Sequence, residues 1–320
     1  MNNVTILGID LAKNTLQVIG VDSHHKEVFK KRVTPAGLKI LASTIPSCTI
    51  YMEACGTSNY WGRELLKLGH DAKLISPQHV TPYVKNHKND YKDTEAIIEA
   101  GTRPRTEFVQ IKTIEQQDIQ SIQRIRTRLV NQRESLSNQI RGILLEYGIV
   151  IKQGFAALKE KLAELLCMQD GSLSQCLKES LADCHEEFNK LSSRILMYDQ
   201  RLESLCKENE FCRLLQTIPG IGTISASALF ASLGNGAQFK NGRQLAAHIG
   251  LVPKQHSSGD KQRLLGITKM GNHELKRLLI HGARAVVRYA DKKTINAVSG
   301  YNSYYLKNHL MLWLPRWQTV

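Results

Sequence analysis

The 320-residue sequence predicts an α/β domain followed by a mostly helical remainder. Three observations carry that prediction. Three short apolar or β-branched runs, at residues 4–9, 15–21 and 27–33, come first and are separated by turn residues at 12–14 and 22–26, the pattern of a strand meander. Helical and strand periods then alternate up to about residue 105. Beyond that point the strand signal fades, and long stretches with helical spacing take over.

The opening run, Thr5-Ile-Leu-Gly-Ile-Asp10, is apolar until it ends in a carboxylate. A run of this kind reads as a buried strand, and Asp10 stands where that strand leaves the sheet. A charge there is solvated, paired or bound to a cation, or it caps a turn. Pro35 opens a short helix through residue 43, with Leu38 and Leu41 as its apolar pair. Residues 48–52 form the fourth strand, which ends in Glu53. Residues 58–68 form a helix that stops at Gly69, 72–75 a fifth strand, and Asp90 opens a helix running to Gly101. A meander followed by alternating helix and strand describes a mixed sheet covered by helices, as in the ribonuclease-H-like arrangement among others.

Carboxylates recur at the ends of these elements: Asp10, Glu53, and Asp90 with Asp93 in Lys88-Asn-Asp-Tyr-Lys-Asp-Thr-Glu-Ala96. A spacing of three at a helix start places Asp90 and Asp93 on one face. Four converging carboxylates repel one another unless a cation neutralises them, and an all-oxygen ligand set suits Mg²⁺ or Mn²⁺. Two such ions can activate an attacking oxygen and stabilise a leaving one in phosphodiester chemistry. Taken singly, Asp90 and Asp93 also serve as ordinary N-terminal helix charges.

Residues 114–148 form a long polar-rich helix in which Ile122, Leu129, Leu136 and Ile143 recur every seven residues, with Arg124 and Arg128 on other faces. In a second stretch Leu177, Leu181, Cys184, Phe188, Leu191, Ile195, Tyr198, Leu202 and Leu205 keep a 4-3 spacing, a coiled-coil seam. That seam fits an intramolecular hairpin and a dimerising coil equally. The chain therefore divides into residues 1–105 (sheet domain), 106–212 (helical, coiled-coil segment) and 213–320 (basic, mostly helical domain).

The last third is strongly basic. Residues 213–320 hold 15 Lys and Arg against 3 Asp and Glu, whereas 103–212 hold 16 against 16, so most of the +14 net charge lies at the C-terminal end. Such a surface suits a polyanion and supplies the sequence-independent part of nucleic-acid affinity. This part opens with Leu214-Leu-Gln-Thr-Ile-Pro-Gly-Ile-Gly-Thr-Ile-Ser-Ala226, a helix-hairpin-helix pattern. Gly220 and Gly222 would let the backbone approach a phosphate at the start of the second helix. After Pro253 a polar Gly- and Ser-rich loop carries Lys254, Lys261, Arg263 and Lys269, and the helix 274–289 carries Arg277. The two hydroxyls of Ser257 and Ser258 among these cations fit a phosphate clamp, or an activated nucleophile whose alkoxide and phosphorane charges the cations stabilise.

Several classes are excluded. The N-terminus lacks the basic and apolar regions of a secretory signal, and no run approaches the ~18 apolar residues of a membrane span. Seven scattered cysteines without a C-x-x-C pair read as reduced cytosolic thiols, mostly core fillers, rather than a disulfide framework or zinc site. An actin-like ATPase also ends its first strand in Asp, but no later glycine-rich phosphate loop follows in the N-terminal half.

Read in order, Gly-Ile-Asp-Leu-Ala-Lys (8–13), Glu-Ala-Cys-Gly (53–56), Lys-Asn-Asp-x-x-Asp-x-Glu-Ala (88–96), Ile-Pro-Gly-Ile-Gly (218–222), Gly-Leu-Val-Pro-Lys-Gln-His-Ser-Ser-Gly (250–259) and Ile-Thr-Lys-Met-Gly-Asn (267–272) resemble the transposases of the insertion-sequence 110 family, in its eleven-eleven-like branch, over about residues 4–293. The resemblance implies a RuvC-like DEDD domain with Asp10, Glu53, Asp90 and Asp93 as Mg²⁺ (or Mn²⁺) ligands. It also implies a C-terminal domain with Ser258 as catalytic serine, Ser257 being the fallback. It further implies a covalent 5′-phosphoserine link to DNA, a composite site across a dimer within a tetrameric synapse, and a structured non-coding bridge RNA that pairs with donor and target DNA. RNA pairing would account for the lack of a base-reading module, with the protein holding backbones. Residues 295–320 depart from the family pattern and read as an altered C-terminus, which raises the alternative of a catalytically impaired nucleic-acid-binding remnant. The other alternative is a RuvC-type junction nuclease that works by metal-dependent hydrolysis alone.

Overall fold

The computed structural model describes residues 3–84, 90–168, 173–258 and 263–289. The side chains of Asp90 and Tyr289, Lys261 and the departing segment 295–320 lie outside the described residues. Two compact units form, Met1–Ile114 and Glu115–Val320.

The first unit is the mixed α/β domain that the sequence predicts. Its strands are β1 (Ile6–Asp10), β2 (Leu16–Val21), β3 (Glu27–Val33), β4 (Thr49–Glu53), β5 (Asp71–Ile75) and β6 (Phe108–Val109), and its helices are α1 (Pro35–Thr44), α2 (Ser58–Lys67), the single turn α3 (Pro77–Val80) and α4 (Asp90–Thr102). The sheet order is β3-β2-β1-β4-β5-β6. β1 pairs antiparallel with β2 and parallel with β4, β4 pairs parallel with β5, and the short β6 closes the edge antiparallel. Edge strand β3 stays exposed and carries Lys30, Lys31 and Arg32, charges that discourage edge-to-edge pairing. Pro35 starts α1 as expected, with the Thr34 hydroxyl accepting from the Gly37 N–H at 3.1 Å.

Alternation along the strands builds two cores. Leu7, Ile9, Ile50, Met52 and Leu74 point to one face, where Leu38, Leu41, Trp61 and Leu65 of α1 and α2 cover them. The opposite face carries Tyr51 and Ile75 against Ala96, Ile97 and Ala100 of α4. Two glycines let α4 approach so closely. A Cβ on Gly8 would overlap the Ile98 side chain and lie 3.2 Å from the Thr94 carbonyl oxygen, and one on Gly101 would overlap the Tyr51 ring.

The second unit is helical: α5 (Ile114–Leu145), α6 (Phe155–Cys167), α7 (Gln175–Glu208), α8 (Glu210–Gln216), α9 (Thr223–Leu233), α10 (Gly242–Ile249) and α11 (His273–Tyr289), with one hairpin, β7 (Pro253–Gln255) and β8 (Leu264–Ile267). The seam of α7 is filled within the chain. Leu181, Phe188, Leu191 and Ile195 bury against Leu129, Leu136, Ile140 and Leu144 of α5 and against Leu158, Leu162 and Leu165 of α6. Of the two readings of that seam, the intramolecular one is what the fold displays. Ile140 and Leu144, not Ile143, complete the buried stripe of α5, because a straight helix drifts from a strict seven-residue repeat.

A second core surrounds α9, which is buried on nearly all sides. Its Ala226, Leu229, Phe230 and Leu233 meet Ile119, Leu202, Leu215, Leu245, Ile249, Leu275 and Leu279. Polar side chains of α5 enter this core only with partners: Gln116 donates to the Phe230 carbonyl at 3.0 Å, and Gln123 to the Ser227 hydroxyl at 2.6 Å. The segment after Pro253, expected to be loop throughout, is the β7–β8 hairpin, with His256 N–H donating to the Arg263 carbonyl at 2.9 Å.

Candidate active site

In the first unit the site grows from the same alternation that builds the core. Gly8 faces α4, so Asp10, two residues on, leaves β1 on the α4 side. Tyr51 packs on Gly101 of α4, so Glu53 leaves β4 on that side too. The parallel register Ile9↔Met52 sets Asp10 and Glu53 one step further, at the carboxyl ends of neighbouring central strands. Asp93 sits in the first turn of α4, next to Thr94, whose carbonyl lies over Gly8. Three of the four predicted carboxylates therefore reach one end of one sheet face.

Electrostatics agree with that placement. The carboxyl of Glu53 is held above its ordinary range, first by burial and then by the negative charge of Asp93. The Cys55 thiol just beyond is raised by burial, and the charges of Glu53 and Asp10 add to the effect. Asp90 heads α4 at the expected spacing from Asp93. Hard oxygen donors that repel one another are the kind of set a divalent cation relieves, so the residue types fit Mg²⁺ or Mn²⁺. Among the described residues no group of three or more carboxylates, histidines or cysteines is gathered closely enough to hold a metal ion.

In the second unit Ser257 and Ser258 part company. The Ser257 hydroxyl accepts from the Arg263 N–H at 3.2 Å and from the Gln255 side-chain amide at 3.0 Å, and so braces the hairpin. Ser258 is exposed, with no hydrogen bond to its hydroxyl among the described residues. Lys254, Arg263, Lys269 and Arg277 are exposed on the same unit, as are Arg124 and Arg128 of α5. Other arginines of α5 are structural: Arg126 pairs with Asp199, Arg133 lies over the Phe155 ring, and Arg141 donates to the carbonyls of Ile151, Lys152 and Gly154.

The Pro-Gly-Ile-Gly turn joins α8 to α9. Gly220 has φ +86°, and a Cβ there would lie 2.7 Å from the carbonyl oxygen of Gly282 in α11. α11 thus already occupies the space that the glycine leaves. Gly222 precedes α9 with open space where a Cβ would be, so its backbone is the accessible part of the turn. Sequence reasoning did not single out Lys276. It is 93% buried on α11 beside Leu275 and Leu279, and a lysine flanking an apolar stripe was the available signal.

A family profile described as transposase, of the IS110 DEDD type, matches residues 7–149, and one described as the transposase IS116/IS110/IS902 family matches residues 212–298. The transposase for insertion sequence element IS1111A of Coxiella burnetii is 44% identical, over 92% of this chain and 81% of its own length. A protein of Pseudomonas aeruginosa named "Probable family 20 transposase" is 43% identical, over 91% and 87%. The transposase for insertion sequence element IS1328 of Yersinia enterocolitica is 37% identical, over 97% and 92%.

Proposed function

Because the chain belongs to the IS110-type transposases and is an enzyme that cuts and rejoins insertion-sequence DNA, we propose that it does so through Ser258, with the acidic end of the first unit as the other half of the site. The observation that carries this reading is the division of labour in the hairpin: the Ser257 hydroxyl is committed to bracing it, while the exposed Ser258, in a segment rich in Lys and Arg, has no such hydrogen bond among the described residues. In the cutting step the Ser258 Oγ–P bond forms as the P–O3′ bond breaks, and the 3′-hydroxyl leaves with a proton. Attack by the 3′-hydroxyl of the other strand then forms a new P–O3′ bond as the Ser258 Oγ–P bond breaks, and the serine takes back the proton, which completes the exchange. The phosphodiester energy is kept in the link, so rejoining needs no added energy source. Lys254 of β7 and Arg263, which directly precedes β8, would stabilise the charge on the phosphoryl oxygens, while Lys269, Arg277, Arg124 and Arg128, with the Gly222 turn, would hold backbone phosphates. Asp10, Glu53, Asp90 and Asp93 would hold a divalent cation, Mg²⁺ or Mn²⁺, which when bound supplies charge neutralisation at a phosphoryl oxygen.

A structured RNA from the element would choose the sites by pairing, and the basic C-terminal third fits both polyanions. The test is a nicked DNA bearing the element's end, incubated with the full chain, Mg²⁺ and the flanking element RNA. Wild type is expected to give an SDS-stable protein–DNA adduct that Ser258→Ala abolishes and that omission of the RNA prevents. Strand exchange that survives Ser258→Ala without an adduct overturns the serine in favour of hydrolysis at the acidic site.

A further inference from the structure

We propose that Lys276 is a positioning residue that clamps the base of the Ser258 hairpin. This rests on the reading of Ser258 as nucleophile. The Lys276 ammonium is buried and donates to the carbonyls of Thr268 and Met270, each at 2.8 Å. A buried ammonium needs such partners, so the two carbonyls and the charge hold one another in place. Thr268 is also where the hairpin closes, because its N–H donates to the Val252 carbonyl at 2.9 Å. One cation therefore ties the end of β8, and through Thr268 the start of β7, to α11.

The surrounding backbone is shaped to admit that cation. Gly250 and Gly271 both take left-handed φ, +84° and +88°. A Cβ on Gly250 would lie 2.9 Å from the Lys276 nitrogen, and one on Gly271 would lie 2.7 Å from the Gly250 nitrogen. Asn272 then caps α11 by accepting from the N–H groups of Glu274 and Leu275, both at 3.1 Å. Gly250, Gly271 and Asn272, which read as pieces of two separate motifs, thus form one joint with Lys276. The exposed hairpin buries almost nothing of its own, since β7 and β8 are solvent-exposed along their length. The orientation of Ser258 depends on this joint for want of a core beneath it.

The test compares Lys276→Met and Lys276→Arg with wild type in the full chain. Lys276→Met is expected to slow adduct formation at saturating DNA by on the order of 10- to 100-fold, as a misplaced nucleophile does. DNA affinity should stay at the wild-type value, the unfolding midpoint should fall because the Thr268 and Met270 carbonyls lose their donor, and amide exchange at Thr268 and His256 should accelerate. Lys276→Arg, which keeps charge and donors, should recover most of the rate. Unaltered exchange and rate in Lys276→Met overturn the proposal. Should that variant fail to fold, Lys276→Gln carries the test, and a wild-type rate there overturns it. An adduct that persists in Ser258→Ala overturns the nucleophile reading instead, and amide exchange in Lys276→Met still decides the clamp.

Discussion

At the scale of single residues, Glu53 carries the plainest consequence of the site. Burial and the Asp93 charge raise its carboxyl pKa in the fold, so the native state binds its proton more tightly than the unfolded chain. The contribution is favourable and fully present below the ordinary glutamate value of 4.5, and is lost as pH rises through the raised value. Glu53→Gln removes the ionisation. It should therefore unfold at a higher temperature than wild type at pH 7, with the difference closing below pH 4.5. Thermal unfolding across that range measures it. Mg²⁺ should raise the wild-type midpoint at pH 7 and raise that of Glu53→Gln less, because a ligand that binds only the native state stabilises by mass action. Equal Mg²⁺ shifts in both proteins would count against Glu53 as a ligand. Residue identity also explains why Ser257 and Ser258 could not be told apart in the sequence: both are small hydroxyls, and only the hairpin register gives one of them the Arg263 N–H.

At the scale of elements, close-packed glycines decide where the functional pieces sit. Gly8→Ala would drive a methyl group into Ile98 and toward the Thr94 carbonyl, lifting α4 off β1 beside Asp93. Overpacking of this kind costs about 1–3 kcal/mol, and denaturant unfolding should show a loss in that range. Adduct formation should fall further than the stability loss explains, since Asp10 and Asp93 lie on the two elements that are pushed apart. Gly282→Ala is the counterpart in the second unit. Its methyl would meet the Gly220 backbone, which cannot rotate away as a side chain can, so a loss of about 1–3 kcal/mol is expected there as well. If Gly282→Ala is neutral in unfolding, the packing of α11 on the turn is looser than the contact implies.

The elements also show what the sequence could and could not disclose. β1, β4 and the α4 start were legible because buried strands read as apolar runs and a carboxylate interrupts them visibly at Asp10 and Glu53. The seam of α7 was legible as spacing, but spacing does not say whether the partner is α5 and α6 of the same chain or a second protomer. The β7–β8 hairpin was missed for a physical reason. Period-two patterning arises from burying one face, and Pro253–Gln255 and Leu264–Ile267 bury neither. Lys276 was hidden in the same way, since a lysine on a helix reads as solvated until the carbonyls of Thr268 and Met270 are found around it.

At the scale of the whole molecule, the two halves of the proposed site belong to different units: Asp10, Glu53 and Asp93 to Met1–Ile114, and Ser258 to Glu115–Val320. A site divided in this way can be completed by the same chain or by a second copy, and the two cases answer differently to mixing. Take Asp10→Asn, which keeps a working serine, and Ser258→Ala, which keeps working carboxylates; each alone should form no adduct. If every site is built within one protomer, any mixture stays inactive. If each site joins the acidic end of one protomer to the serine of another, a mixed dimer has one site with both defects and one with neither. Random association of equal amounts makes half the dimers mixed, so about a quarter of the wild-type sites should return. Recovery near that level after co-refolding or co-expression would establish a site shared between protomers. Complete inactivity, with mixed dimers demonstrated by differential tags, would place Asp10 and Ser258 of one chain in the same site.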